Sequence, residues 1–161
     1  MGINRGKQFE DRLREQFEKV PDTLCLRLYD VTMGYKEINN PCDLIVFNNG
    51  TLNLFECKAI HGNTLNFKSH IRENQWDNLL KYTSISSINA GILVWFIDLD
   101  LTLFIDIDWL NYLRNDKGYK SFNARNDLDK IPAYEILGTK KKVFFEYNLK
   151  QFLEDISYYE C

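Results

Sequence analysis

The chain of 161 residues contains no run approaching the roughly 20 apolar residues of a membrane span. Its opening residues lack the apolar core of a signal peptide, so a cytoplasmic protein is expected. Four cysteines (Cys25, Cys42, Cys57 and Cys161) show no disulfide-framework spacing. Cys25 and Cys57 fall inside strand-like runs, which points to buried free thiols in a reducing compartment. Cys57 and His61 have no second closely spaced pair to complete a zinc site, and zinc is set aside. Positive charge is not in excess either: 20 Lys and Arg stand against 23 Asp and Glu, for a net charge of −3. That balance counts against a non-specific, high-affinity nucleic-acid binder, although local clusters matter more than the sum. Internal repeats, low-complexity tracts and linkers are also missing. The remaining composition, 45% apolar and 14% aromatic, is that of one globular domain over residues 1–161.

What is present centres on a hairpin. Asp43 opens an apolar run (Leu44, Ile45, Val46, Phe47), Asn48-Asn49-Gly50 follows, and a second run goes from Leu52 to Lys58. Asn-Gly between alternating segments is a strong type I′ hairpin signal, because both residues tolerate positive φ. With Asn49 and Gly50 at the turn centre, Asn48 faces Thr51 and Asp43 faces Glu56. Facing residues project from one side of a sheet with Cβ atoms about 4.5–5.5 Å apart. Lys58, two residues beyond Glu56, shares that side. Like charges directly opposed destabilise a sheet unless something compensates.

Two readings of that patch are open. One is an exposed hairpin edge on which Lys58 pairs with Glu56. The other is a site for a divalent cation: Mg²⁺ takes one or two carboxylates, keeps waters and meets phosphate oxygens. Lys58 would then stabilise phosphate charge or help orient and deprotonate the attacking water. The second reading describes phosphodiester hydrolysis by a metal-activated water. It gains weight because the same face carries Ile45, Phe47, Leu52 and Leu54 and is expected to be buried, where acids are unusual.

Periodicity supplies the surrounding elements. Residues 5–20 read as an amphipathic helix with Phe9, Leu13, Phe17 and Val20 on one face, Asn4 as N-cap and Pro21 as the stop. Residues 24–29 read as a first strand, 31–41 as a short polar connection, and the hairpin as strands two and three. A second helix is expected over 69–83, an almost wholly apolar strand over 90–97, and a fifth strand over 101–105. A short helix at 108–114, a polar and mobile loop over 115–130, a hairpin pairing 133–137 with 143–147, and a closing helix at 149–159 complete the chain. The expected fold is α/β: a restriction-endonuclease-like core with a mixed five-stranded sheet flanked by helices (α-β-β-β-α-β-β) and a short C-terminal α+β extension.

Other residues have two readings each. Gln75 lies on the inward stripe of the second helix with Ile71, Leu79 and Tyr82; it either bonds backbone in the core or reaches the carboxylates. Glu10 either pairs with Arg14 one turn on or serves as a supplementary acid. Asp98, Asp100, Asp106 and Asp108 read as turn and capping residues. Basic side chains collect at Arg5 and Lys7, Lys68 and Arg72, Lys117 and Lys120, and Lys140, Lys141 and Lys142. Each group is either a solvated cluster or a phosphate-backbone contact.

Asn4 to Glu10, Asp43 with Phe55-Glu56-Cys57-Lys58, Thr64 to Phe67 leading to Asn74-Gln75, Lys120-Ser121 and Tyr134 to Gly138 follow one another in an order that resembles the RecU family of Holliday junction resolvases. That family belongs to the PD-(D/E)XK nuclease superfamily. The resemblance implies that Asp43, Glu56 and the backbone carbonyl of Cys57 bind Mg²⁺ or Mn²⁺. It also implies that Lys58 acts on the nucleophile or the phosphate, that Gln75 and Glu10 assist, and that a homodimer nicks opposing strands of a four-way DNA junction. Two features depart from the family: the segment from Tyr29 to Asp43 is too short for its stalk insertion, and the chain is acidic. A phage-type or otherwise reduced relative accommodates both. The alternatives are a nuclease of the same superfamily with a restriction-like or general branched-DNA target, and a non-catalytic DNA-binding module.

Overall fold

The computed structural model describes residues 4–29, 32–33, 36–37 and 40–157, with backbone alone at 32–33 and 36–37. Helix α1 spans Arg5–Glu18. Asn4 caps it by accepting the Lys7 N–H at 3.0 Å. Its stripe of Phe9, Leu13 and Phe17 is fully buried, whereas Val20 lies past the helix end. Burial of each of these side chains contributes about 1.5–3 kcal/mol.

Strand β1 is Thr23–Arg27; the two-residue strands β2 (Thr32–Met33) and β3 (Lys36–Glu37) pair with each other. The expected plain connection is therefore a miniature hairpin. Strands β4 (Leu44–Asn48) and β5 (Thr51–Ile60) follow. Asn49 and Gly50 both take positive φ, 48° and 78°, as a type I′ turn requires. Their register runs from Asn48 opposite Thr51 to Leu44 opposite Phe55, as the turn predicts.

After β5 come β6 (Thr64–Asn66), α2 (Phe67–His70) and α3 (Glu73–Thr83). The expected continuous helix over 69–83 is broken. Buried Ile71 takes an extended conformation, and the Gln75 side chain accepts the Arg72 N–H at 3.1 Å, starting a new helix. This crossover lets β7 (Ile88–Phe96) lie parallel to β5. Strand β8 (Leu101–Asp106), α4 (Ile107–Asn111) and a wider helical turn at Tyr112–Asp116 come next. The polar stretch expected as a mobile loop holds β9 (Ser121–Asn123), which pairs with β6 and is anchored by buried Phe122 and Ala124.

Strand β10 (Tyr134–Glu135) pairs with β8, while β11 (Gly138–Lys141) pairs with β12 (Phe144–Tyr147). The expected hairpin between 133–137 and 143–147 is thus replaced: the first segment joins the main sheet and the second closes on its nearer neighbour. Helix α5 spans Leu149–Ser157; the end of the expected helix and Cys161 lie outside the described residues.

The main sheet is mixed and has six strands, in the order β1-β4-β5-β7-β8-β10. It is one wider than expected because of β10. The chain thus follows the anticipated restriction-endonuclease-like order, with a core on each face. Leu54, Ile92, Val94 and Ile105 pack beneath α3 and α4. Phe55, Leu93, Trp95 and Phe104 pack beneath α1 and α5. Strand β7 is apolar throughout its buried length because helices cover both its faces. On the α1 face Cys25, Leu44 and Val46 are still buried, but on the α3 and α4 face the cover stops short of β1 and β4. There Leu24 and Leu26 face Phe47 and Ile45, and Leu24, Leu26 and Phe47 are exposed. The face carrying Asp43 is accordingly buried at Leu54 but open at Phe47, which corrects the expectation of a wholly buried face. Among the described residues, no helix is long and apolar enough to cross a membrane.

Candidate active site

Strand β5 is longer than its partner: β4 pairs with it only as far as Leu44 and Phe55, and beyond that β5 pairs with β7 alone. Asp43 occupies the place where β4 ends. Its N–H donates to the Phe55 carbonyl at 3.0 Å, and its Oδ2 accepts the Cys57 N–H at 2.8 Å. The carboxylate thus substitutes for the next ladder bond. In a strand the N–H and C=O of one residue point to the same edge. The Cys57 carbonyl therefore faces the edge that Asp43 caps, while the Cys57 thiol packs in the core under α1.

Glu56 projects on the other face, with its side chain only 2% exposed. Its Oε1 receives the Lys58 ammonium at 3.0 Å and the Gln75 amide at 2.6 Å. Its Oε2 is buried and receives no N–H from a described residue, and the Asp43 carboxyl lies within hydrogen-bonding reach of the Glu56 carboxyl. Burial, and then the neighbouring Asp43 charge, push the Glu56 carboxyl well above the usual carboxylate range, with Lys58 pulling the other way. The exposed-edge reading of this pair is excluded by that burial.

Gln75 turns out to do both things considered for it. Its Oε1 accepts the Arg72 N–H and its Nε2 donates to Glu56. The break before α3 is what aims it there. Glu10 does not pair with Arg14, which binds Glu18 instead at 3.2 Å. Its Oε2 meets Arg27 Nη2 at 3.0 Å, and Arg27 also pairs with Asp11. Burial, and next the charge of Asp43, raise the Glu10 carboxyl to about 7, against the pull of Arg27 and Lys58. Glu10, Arg27, Asp43, Glu56, Lys58 and Gln75, from four elements and one strand end, therefore share one electrostatic neighbourhood.

The donor set suits a hard dication. An orphaned carboxylate oxygen of Glu56, the Asp43 carboxylate and the Cys57 carbonyl are all oxygen donors, the kind such an ion takes. Among the described residues, no group of three or more His, Cys, Asp or Glu side chains is arranged to hold an ion. A cation here would rest on two side chains plus backbone, the lean protein set that Mg²⁺ accepts.

Basic residues divide between the two faces of the sheet. Arg72 joins Asn40, Cys42, Asn74 and Gln75 around Asp43 and Glu56. Lys68 and Lys120 line an adjoining groove under α2. Lys140, Lys141 and Lys142 line a different groove with Arg12, Val143 and Phe144 on the α1 face. Arg5 lies over the Phe144 ring at 5.5 Å, Lys7 is exposed, and Lys117 lies over Tyr112 at 5.5 Å, in neither groove. Asp106 caps α4, and Asp98 accepts the Gly62 N–H at 2.6 Å, as capping and turn residues do.

Two residues near the site were not singled out in the sequence. Arg27 had a signal: it follows buried Cys25 at period two, so it had to point inward. His70, whose Nδ1 accepts the Asn66 N–H at 2.8 Å, lies close enough to Lys58 for the ammonium to help hold its pKa down, after burial. Nothing local marked it.

No protein-family model matches the sequence, and no curated protein matches it. Among solved structures, the chain is similar to Hjc of Archaeoglobus fulgidus, described as a Holliday junction resolvase from an archaeal hyperthermophile. Identity is 16% and the TM-score 0.48, over 65% of this chain and 78% of that one.

Proposed function

We propose that this chain is a divalent-metal-dependent endonuclease acting on branched DNA, with the four-way junction as first substrate and a homodimer as the working unit. The observation that carries the reading is Glu56: a buried carboxylate with an orphaned oxygen, set beside a second carboxylate and tied to a lysine and a glutamine. A protein has little structural reason to keep that arrangement, since a buried acid without compensation is destabilising.

Asp43, Glu56 and the Cys57 carbonyl would hold Mg²⁺ or Mn²⁺. When bound, the ion supplies Lewis-acid stabilisation of the phosphate and makes water more acidic. Lys58, less buried than Glu56 and 3.0 Å from its Oε1, would offset charge on the scissile phosphate. Gln75 fixes the Glu56 rotamer. Glu10, with its carboxyl near neutrality, is suited to hold or release a proton beside Asp43.

Incubation with labelled four-way junction, Y-shaped DNA and linear duplex, in Mg²⁺ or EDTA, tests the proposal. Paired symmetric nicks in the junction alone are expected. Cleavage of every substrate would instead favour a general or restriction-like nuclease, and the short hairpin β2–β3 in place of a stalk makes that the second reading. Binding without cleavage at any metal concentration would leave a DNA-binding module. Asp43→Asn is expected to abolish cleavage while leaving folding and DNA binding in place; unchanged turnover would contradict the role given to Asp43.

A further inference from the structure

A groove of about 520 Å³ opens beside the carboxylate cleft, lined by Asn66, Phe67, Lys68, Glu73, Arg114, Tyr119 and Lys120. It adjoins the site through the chain itself: Arg72 lines the cleft, and the next residue, Glu73, lines the groove. Its volume falls within the range of about 300–1,000 Å³ typical of small-ligand sites. Its walls are fixed. Asn66 pairs with Ser121 across β6 and β9, and the Phe67 N–H donates to the Lys120 carbonyl at 3.0 Å.

The chemistry of the walls is divided. Arg114 is committed, with Nη2 on both Glu73 oxygens at 2.7 and 3.0 Å and its guanidinium 4.5 Å from the Trp76 ring centroid. Lys68 and Lys120 are exposed and make no ion pair with any described residue. Tyr119 is half-buried: it packs in part against the core, its side chain bonds Lys130, whose ammonium lies 5.0 Å from the ring centroid, and its remaining surface lines the groove. Asn66 Oδ1 caps α2 by accepting the Lys68 and Ser69 N–H groups, so its amide nitrogen is the end left to donate. Two uncommitted ammonium groups beside an aromatic ring and an amide form the pairing that single-stranded nucleic acid uses, backbone on cations and base on a π-face. A base inside a duplex is stacked on its neighbours and cannot reach a ring within a groove.

We infer that this groove holds one unpaired nucleotide next to the scissile phosphate, its base on Tyr119 and its phosphates between Lys68 and Lys120. The inference rests on the nuclease reading and adds a substrate requirement to it: the preferred DNA has a nucleotide free of its partner beside the cut, as at a branch, flap or gap.

The test is equilibrium binding, in the Asp43→Asn background with Mg²⁺, of two fluorescein-labelled duplexes of equal length, one fully paired and one with a short single-stranded gap. The affinity ratio, gapped over paired, is the readout. Loss of one base–aromatic stack typically costs about tenfold in affinity. A ratio of about ten is therefore expected in the parent and in Tyr119→Phe, falling towards one in Tyr119→Ala and in Tyr119→Leu, which keeps apolar bulk without a π-face. A parent ratio near one, a ratio unchanged in Tyr119→Leu, or a ratio lost in Tyr119→Phe would each overturn the assignment. Failure of the wild-type chain to bind either DNA would overturn the nuclease reading itself, whereas equal binding of both with metal-dependent cleavage intact would overturn the groove alone.

Discussion

Glu56 is held in a state that opposes its own ionisation, and that has a measurable consequence for stability. A carboxyl whose pKa rises on folding contributes stability fully only below its unfolded value, about 4.5, and loses it as pH climbs through the folded value. For Glu10 that upper limit is about 7, for Asp106 about 6, and for Glu56 it is well above the usual range. Metal-free protein should therefore lose thermal stability between pH 5 and 8 at these positions. Glu56→Gln removes the largest such penalty. Its Tm should match the parent near pH 5 and exceed it by about 3 °C or more at pH 8. Added Mg²⁺ should raise the Tm of the parent at pH 8 but not that of the variant, since ligand binding to the folded state alone is stabilising. Scanning calorimetry at pH 5 and pH 8 checks both, and a variant less stable than its parent at pH 8 would mean the ion pair with Lys58 outweighs burial. At this scale, what the sequence revealed was whatever local geometry dictates. A two-residue turn fixes which side chains face each other, so Asp43, Glu56 and Lys58 were readable. The clasp of Arg27 on Glu10 was not, because its two halves lie on a strand and a helix whose packing no periodicity specifies.

The elements show the same division between local and distant causes. The α1 stripe, the Asn49-Gly50 turn and the apolar β7 each carry their own signal. The break at Ile71 and Arg72 does not, because both residues have acceptable helix propensity and the bonds that accompany the break tie Gln75 to the Arg72 N–H and to Glu56 on a distant strand. The choice of β8 as partner for β10 depends on which edge is exposed after the rest has folded. One residue ties the central strands together. A Cβ on Gly91 would sit 2.4 Å from the Ile105 carbonyl oxygen and 2.7 Å from the Phe104 ring, so β7 and β8 meet more closely there than any side chain permits. The obstacle is backbone, which cannot turn aside. Gly91→Ala should destabilise the protein by about 1–3 kcal/mol. In urea unfolding this appears as a lower midpoint with an unchanged m-value, because the surface exposed on unfolding stays the same. A midpoint within error of the parent would show that the strands can part at little cost.

For the molecule as a whole, charge distribution matters more than the net value of −3. The carboxylate cluster lies where β5 outruns β4, and Lys58 and Ile60 are level with Val94 and Phe96 of β7. The β11–β12 hairpin sits at this same end of the sheet. Ile136 bonds the Thr102 carbonyl, Lys140 pairs with Asp100 just past β7, and Phe144 packs 5.5 Å from Trp95. Lys68 and Lys120 flank the site from one face, and the Lys140–Lys142 group flanks it from the other. The hairpin tip carries Lys142 at a φ of 57°, a conformation that glycine would adopt more readily. A duplex crossing this end would meet both groups, where Asp100 is paired with Lys140 and Glu73 with Arg114. Each phosphate neutralised by a lysine adds about 0.9 to the slope of log affinity against log salt. Lys140 already has both Asp100 oxygens at 2.9 Å and has least to give. Lys141→Gln with Lys142→Gln should therefore lower the slope by up to about 2, while Lys140→Gln alone leaves it nearly unchanged. Fluorescence anisotropy titrations from 50 to about 200 mM salt resolve that difference. Equal slopes for all three proteins would place the duplex on the α2 face alone and leave the hairpin off its path.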